Sequence, residues 1–119
     1  MDQENIALTY KEQGNKEFKA GNYSKAIELY TNALEAKKDK TFYTNRATCF
    51  FNLNKFNKCI NDCDEALKID NKFVRAYSRK AEAQWALGKI QESVDTLVKA
   101  VDNKIEDEEI RKKTNEAKM

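Results

Sequence analysis

The chain has 119 residues and a mass of 13.8 kDa, the size of one compact domain. Hydrophobic residues at 40% and charged residues at 35% are too apolar for a disordered chain and too polar for a membrane protein. A net charge of +2 from 22 basic and 20 acidic residues lacks the basic excess of a nucleic-acid binder, and the absence of histidine removes the commonest general base and metal ligand.

The chain holds no proline and three glycines, which suits a string of helices and argues against a sandwich or barrel. Met1-Asp2-Gln3-Glu4 lacks the basic start and apolar centre of a signal peptide, so a cytoplasmic chain is expected. Tyr10, Gly14 and Phe18 recur four apart and predict a first helix over about 4–20. The Gly21-Asn22 turn follows. Ala26, Ile27, Tyr30, Ala33 and Leu34 keep the 3.6-residue period and predict a second helix over about 23–37. The same pair then returns, with helices over about 40–53 and 56–69 and again over about 73–87 and 90–103.

The copies are spaced by 33 and then 34 residues. Ala33, Ala66 and Ala100 align, as do Ile27, Ile60 and Val94, Leu34, Leu67 and Val101, and the aromatics Tyr10, Tyr43 and Tyr77. Phe18, Phe51 and Trp85 form a second aromatic column, followed by the turn residues Gly21, Asn54 and Gly88. Such self-similarity marks a helical repeat array. Small residues at Gly14, Ala47 and Ala81, and at Ala26, Cys59 and Ser93, let helix axes approach closely. A charged segment over about 106–117, with Ile110 as its apolar anchor, is the expected capping helix. Its acidic start (Glu106, Asp107, Glu108, Glu109) and basic end (Arg111, Lys112, Lys113, Lys118) suit the helix dipole. Cys49, Cys59 and Cys63 read as core thiols, because no further ligands have zinc spacing. The sequon Asn22-Tyr23-Ser24 carries no weight without a secretory signal.

A helix–turn–helix unit of 34 residues with these columns resembles the tetratricopeptide repeat (TPR). The expected fold is all-α: three tandem helix pairs in a right-handed α-solenoid plus a C-terminal capping helix. Residues 1–119 form a single domain, with repeats at about 7–39, 40–73 and 74–105. The proline usual at each repeat end is replaced by Lys38, Asn71 and Ile105.

Stacked helix pairs curve, with the first helix of each pair on the concave side. The columns there not used for packing bring Lys11, Arg75 and Arg79 beside the amides Asn15 and Asn45, with Thr44, Thr48, Ser78 and Glu82 nearby. Three cations and two amides offer many donors and few acceptors, which is what clustered carboxylates require. The competing reading is ordinary solvated charge, common in a chain this charged. The stretches Lys11-Glu12-Gln13-Gly14-Asn15, Tyr43-Thr44-Asn45-Arg46-Ala47 and Arg75-Ala76-Tyr77-Ser78-Arg79-Lys80 resemble the three motifs of carboxylate-clamp TPR domains. The chain is similar to one module of the stress-inducible heat-shock organising co-chaperones.

That resemblance implies a peptide-binding clamp of Lys11, Asn15, Asn45, Arg75 and Arg79 for the C-terminal Glu-Glu-Val-Asp tail of heat-shock chaperones of the 70 or 90 kDa class. Arg75 stands where a Lys is more usual, and Asn52 where many members carry another Lys. Phe18, Thr48 and Phe51, with Trp85, complete the candidate wall. Each aromatic also has a packing reading, stronger for Trp85 than for Phe18 and Phe51. No catalytic residue, cofactor or metal is expected, and neither are nucleic-acid or membrane partners. The isolated domain is expected to be a monomeric, non-enzymatic adaptor. The alternative is a general TPR scaffold that docks an internal or helical segment of another partner.

Overall fold

A computed structural model describes the backbone of residues 2–117 and the side chains of residues 2–103. Among the described residues the secondary structure is helix alone: α1 (Gln3–Lys19), α2 (Tyr23–Ala36), α3 (Lys40–Asn52), α4 (Phe56–Ile69), α5 (Val74–Ala86) and α6 (Ile90–Ala117). Each helix packs on its neighbours in chain order, and α3 also touches α5. The result is a flattened slab of 50 × 42 × 21 Å.

The columns shared by the three copies have distinct jobs. Gly21, Asn54 and Gly88 all take positive φ (82°, 61° and 79°), the left-handed geometry that glycine and asparagine adopt most readily. Each closes the first helix of its pair with the same double bond. At the middle turn Lys55 N donates to Phe50 O at 2.8 Å and Asn54 N to Phe51 O at 2.9 Å. Asn22 and Gly21 repeat this on Glu17 and Phe18, and Lys89 and Gly88 on Gln84 and Trp85. This left-handed cap satisfies the last carbonyls without a side chain. Asp2 and Asp39 accept from Asn5 N and Thr41 N at 2.8 and 2.7 Å and so start α1 and α3.

The core is built from small residues with a few rings between them. Ala26, Ala33, Ala47, Cys59, Cys63, Ala66, Ala76 and Ala83 are fully buried, and Tyr43 and Tyr77 nearly so. Where the third copy has Ser93 in the small column, its hydroxyl donates to Ala81 O at 2.8 Å, and beside it Thr96 donates to Gln84 Oε1 at 2.7 Å. Arg46 binds the middle of the array together: its Nε and NH2 donate to both oxygens of the buried Asp62 at 2.8 and 2.7 Å, and its NH1 to Thr31 at 3.1 Å. One guanidinium thereby joins α2, α3 and α4. The three cysteines are free and buried, as core thiols should be. Burial pushes the Cys49 thiol up to about 12, and the hydrogen bond with Cys59, reinforced by burial, drives the Cys63 thiol upward too.

The break expected before a separate capping helix does not occur. α6 runs unbroken for 28 residues, against 14 in α2 and in α4, about 42 Å of helix at 1.5 Å per residue. The chain here reads Asn103-Lys104-Ile105-Glu106, with no proline or glycine to stop a helix. By contrast α2 and α4 end at Lys37 and Asp70 in extended backbone. The expected anchoring by Ile110 and the charge placement over 106–118 fall outside the residues whose side chains are described. One consequence is visible on the described part: Val94, Leu97, Val98 and Val101 are 45–55% exposed. Of their counterparts one and two copies earlier, Tyr30, Leu34 and Cys63 are buried, and Ile27, Ile60 and Leu67 are half-buried.

Candidate functional site

The candidate side chains come from one helix of each pair: Lys11, Asn15 and Phe18 from α1, Asn45, Thr48, Phe51 and Asn52 from α3, and Arg75 and Arg79 from α5. The four-residue spacing within α1 and α5 stacks each pair on one helical face. Asn15, Phe18, Asn45, Thr48, Arg75 and Arg79 meet around a single recess of about 340 Å³. No acidic residue lines it. Lys11 does not line it; Lys11 lines a separate, smaller recess with Glu4, Lys37 and Asp39, where Lys37 donates to Glu4.

Phe51 lines neither of these. It faces a wider, mostly apolar hollow of about 540 Å³ with Ala81, Glu82, Trp85 and Leu97. Asn52 is exposed at the last position of α3. Trp85 is 61% exposed, so packing between helices, the stronger sequence expectation for it, does not hold. Phe18 and Phe51 each have an aromatic ring five residues on, across the turn, whereas Trp85 has there the aliphatic Ile90, itself 43% exposed. Phe18 and Phe51 are half-buried, edge-on to Tyr23 and Phe56 with ring centres at 5.5 and 5.4 Å. Thr44, placed by sequence among the concave positions not used for packing, is 1% exposed. Its hydroxyl donates to the carbonyls of Lys40 and Thr41 at 3.2 and 3.1 Å, which turns a polar side chain inward at no loss.

The recess is electropositive and partly unmet. Arg79 lies over the Phe51 ring, 5.2 Å from its centre, and its NH1 donates to Glu82 at 2.9 Å. Its Nε is buried without a hydrogen-bond partner, an uncommon state for such a donor. Sequence reasoning missed one lining residue. Tyr30, on α2, was read only as part of that helix's apolar period, yet its ring forms part of the recess and its hydroxyl donates to Asn15 Oδ1 at 2.6 Å. The available signal was the pairing of a glycine, Gly14, on α1 with a large ring on α2. A Cβ at Gly14 would sit 2.7 Å from Tyr30 Cε1.

No group of three or more Cys, Asp or Glu side chains among the described residues is placed to hold a metal ion, and no described helix is long and apolar enough to cross a membrane. The arrangement can bind anions through charge-assisted hydrogen bonds.

Comparison with known proteins matches two family models, both described as tetratricopeptide repeat, to residues 41–73 and 74–104. Heat shock protein STI1 of Saccharomyces cerevisiae is 38% identical over 95 residues, covering 78% of this chain and 16% of the relative. The chain thus spans about a sixth of that relative's length. Among solved structures, the first TPR of Spaghetti (RPAP3), bound to the HSP90 peptide SRMEEVD, superimposes with a TM-score of 0.80 at 32% identity, over 98% of this chain and 96% of that one. The second TPR domain of human RPAP3, in complex with the HSP70 peptide SGPTIEEVD, gives a TM-score of 0.79 at 29% identity over 83% of each. Helix pairs, repeat columns and these matches agree: the chain belongs to the tetratricopeptide repeat family.

Proposed function

We propose that this domain is a non-enzymatic adaptor that captures an acidic C-terminal peptide, of the Glu-Glu-Val-Asp type carried by heat-shock chaperones of the 70 and 90 kDa classes. The observation that carries the proposal is the recess shared by α1, α3 and α5. It is lined by two arginines and two amides with no carboxylate, and one buried guanidinium nitrogen lacks an acceptor. Both similar domains are described with peptides that end in this tetrapeptide.

In this reading the terminal Asp brings two carboxylates, one from its side chain and one from its main chain. Asn15 and Asn45, with Lys11 one helical turn before Asn15 on α1, hold the terminal group. Arg75 and Arg79 take side-chain carboxylates and peptide carbonyls upstream. Thr48 offers a hydroxyl to the same recess, and Phe18, Phe51 and Asn52 extend the surface along the peptide. Capture is electrostatic with a few apolar contacts. An affinity in the micromolar range corresponds to about 8 kcal/mol.

The test is calorimetric titration with a peptide ending in Glu-Glu-Val-Asp beside its C-terminally amidated twin. Micromolar binding of the acid form, lost on amidation and lost in Arg79→Ala with helicity intact, is the expected result. Equal binding of the two peptides would remove the clamp and leave a scaffold that recognises internal segments.

A further inference from the structure

The two amides in the recess are not equivalent. Asn45 has no side-chain hydrogen-bond partner among the described residues, whereas Asn15 is tied through its oxygen to the Tyr30 hydroxyl at 2.6 Å. We infer that Tyr30 is a positioning residue for peptide capture: its phenol holds Asn15 Oδ1 so that the Asn15 amide nitrogen is the atom presented to the ligand carboxylate. The inference rests on the clamp reading above and adds a residue from outside the three helices that carry the clamp.

Amide chemistry and three observations support the assignment. An amide has one accepting and one donating end, and a carboxylate accepts only. A free Asn side chain therefore presents the wrong atom in one of its two orientations, and an oxygen set against a carboxylate repels it. The Tyr30 hydroxyl removes that orientation by occupying the oxygen. Tyr30 is itself immobilised: it is 1% exposed and packs in a cluster with Ala26 and Cys49. Its ring rests on the bare backbone of Gly14, with Cε1 and Cδ1 2.7 and 2.9 Å from where a Cβ would lie. Finally, burial pushes the phenol up to about 12, so it remains a donor across the physiological range. A locked donor loses less freedom on binding than one that must be ordered by the ligand.

The experiment measures binding of the Glu-Glu-Val-Asp peptide by the full chain in four forms: wild type, Tyr30→Phe, Asn15→Ala and the double variant. Tyr30→Phe keeps the ring and removes only the hydroxyl. It should weaken binding about five- to tenfold, the scale of one hydrogen bond, and have no further effect once Asn15 is alanine. Wild-type affinity in Tyr30→Phe would overturn the inference, as would an equal loss in the Asn15→Ala background. No binding by the wild type would instead remove the clamp reading itself, so the two failures are distinguishable.

A second measurement needs no variant and covers the case in which Tyr30→Phe folds poorly. In nuclear magnetic resonance spectra of the wild type, the Asn15 Nδ2 protons should shift on peptide addition while the Tyr30 hydroxyl proton stays protected from exchange. Nδ2 protons that do not respond to bound peptide would also overturn it.

Discussion

Gly14→Ala sets two effects of opposite sign against each other on α1. In a helix interior the alanine is intrinsically favoured by about 1 kcal/mol. Here the added methyl would lie 2.7 Å from Tyr30 Cε1 and 2.9 Å from Cδ1, whereas ordinary van der Waals contact begins at 3.4 Å. The ring must therefore retreat by about 0.7 Å (3.4 less 2.7). It has nowhere to go, being 1% exposed and held at its far end by Asn15. Overpacking of this kind costs about 1–3 kcal/mol. With two ring carbons inside contact distance the upper part of that range applies, which leaves a net loss of about 1–2 kcal/mol after the propensity gain. For a domain of this size the melting temperature should fall by roughly 3–10 °C, read as helical ellipticity against temperature. Gly14→Ala combined with Tyr30→Phe should keep most of the loss, because the clash is with ring carbons and not with the hydroxyl. A variant that melts at or above the wild-type temperature would refute the argument, since Tyr30 would then have yielded and the glycine would not be there for close approach.

Other perturbations test other parts of the molecule. Asp62→Ala should cost about 3–5 kcal/mol in urea denaturation by stranding the Arg46 charge between helices, whereas removing the exposed Lys25–Glu28 pair should cost no more than about 0.5 kcal/mol; equal losses would show that Arg46 is not the clip it looks like. Glu82→Gln frees the Arg79 NH1 from its internal carboxylate at 2.9 Å and should tighten acidic-peptide binding severalfold, and unchanged or weaker binding would mean that Glu82 does not compete. Stability should hold through neutral pH and fall above about pH 9, because burial raises Cys49 from about 9 to about 12 and Tyr30 from about 10 to about 12. The unfolded chain therefore releases these protons first and is favoured as pH rises; melts that stay flat to about pH 11 would contradict this, and Cys49→Ser should flatten part of the fall.

Much of the fold was legible because the repeat writes each instruction three times. The aromatic, small and turn columns place all six helix starts, and a position such as Asn54 is understood by standing where Gly21 and Gly88 stand. The end of the array has no later copy to compare with. There the expected break around 104–105 failed, since Lys104-Ile105-Glu106 reads as continuous helix once no cap or breaker interrupts it, and Trp85 is exposed where its column suggested packing. Thr44 was misjudged for a different reason: a hydroxyl that bonds to its own helix can be buried, so polarity did not mark exposure. The grouping of Asn15, Asn45, Arg75 and Arg79 followed from repeat register, which fixes which residues of separate helices come level. Tyr30 did not, because its part in the recess depends on the depth to which a ring on α2 reaches past Gly14, a distance that no sequence period encodes.

The packing of each helix on its chain neighbours has a kinetic consequence. With few contacts between remote parts of the chain, little loop entropy must be lost before a contact forms, and helical proteins of this kind fold in about microseconds to milliseconds. Nearest-neighbour coupling also lets order start in one pair and spread outward. The middle pair, α3 and α4, is flanked on both sides and clipped to α2 by Arg46. Its amides should therefore be the last to exchange their hydrogens with solvent, with protection falling away toward α1 in one direction and α6 in the other.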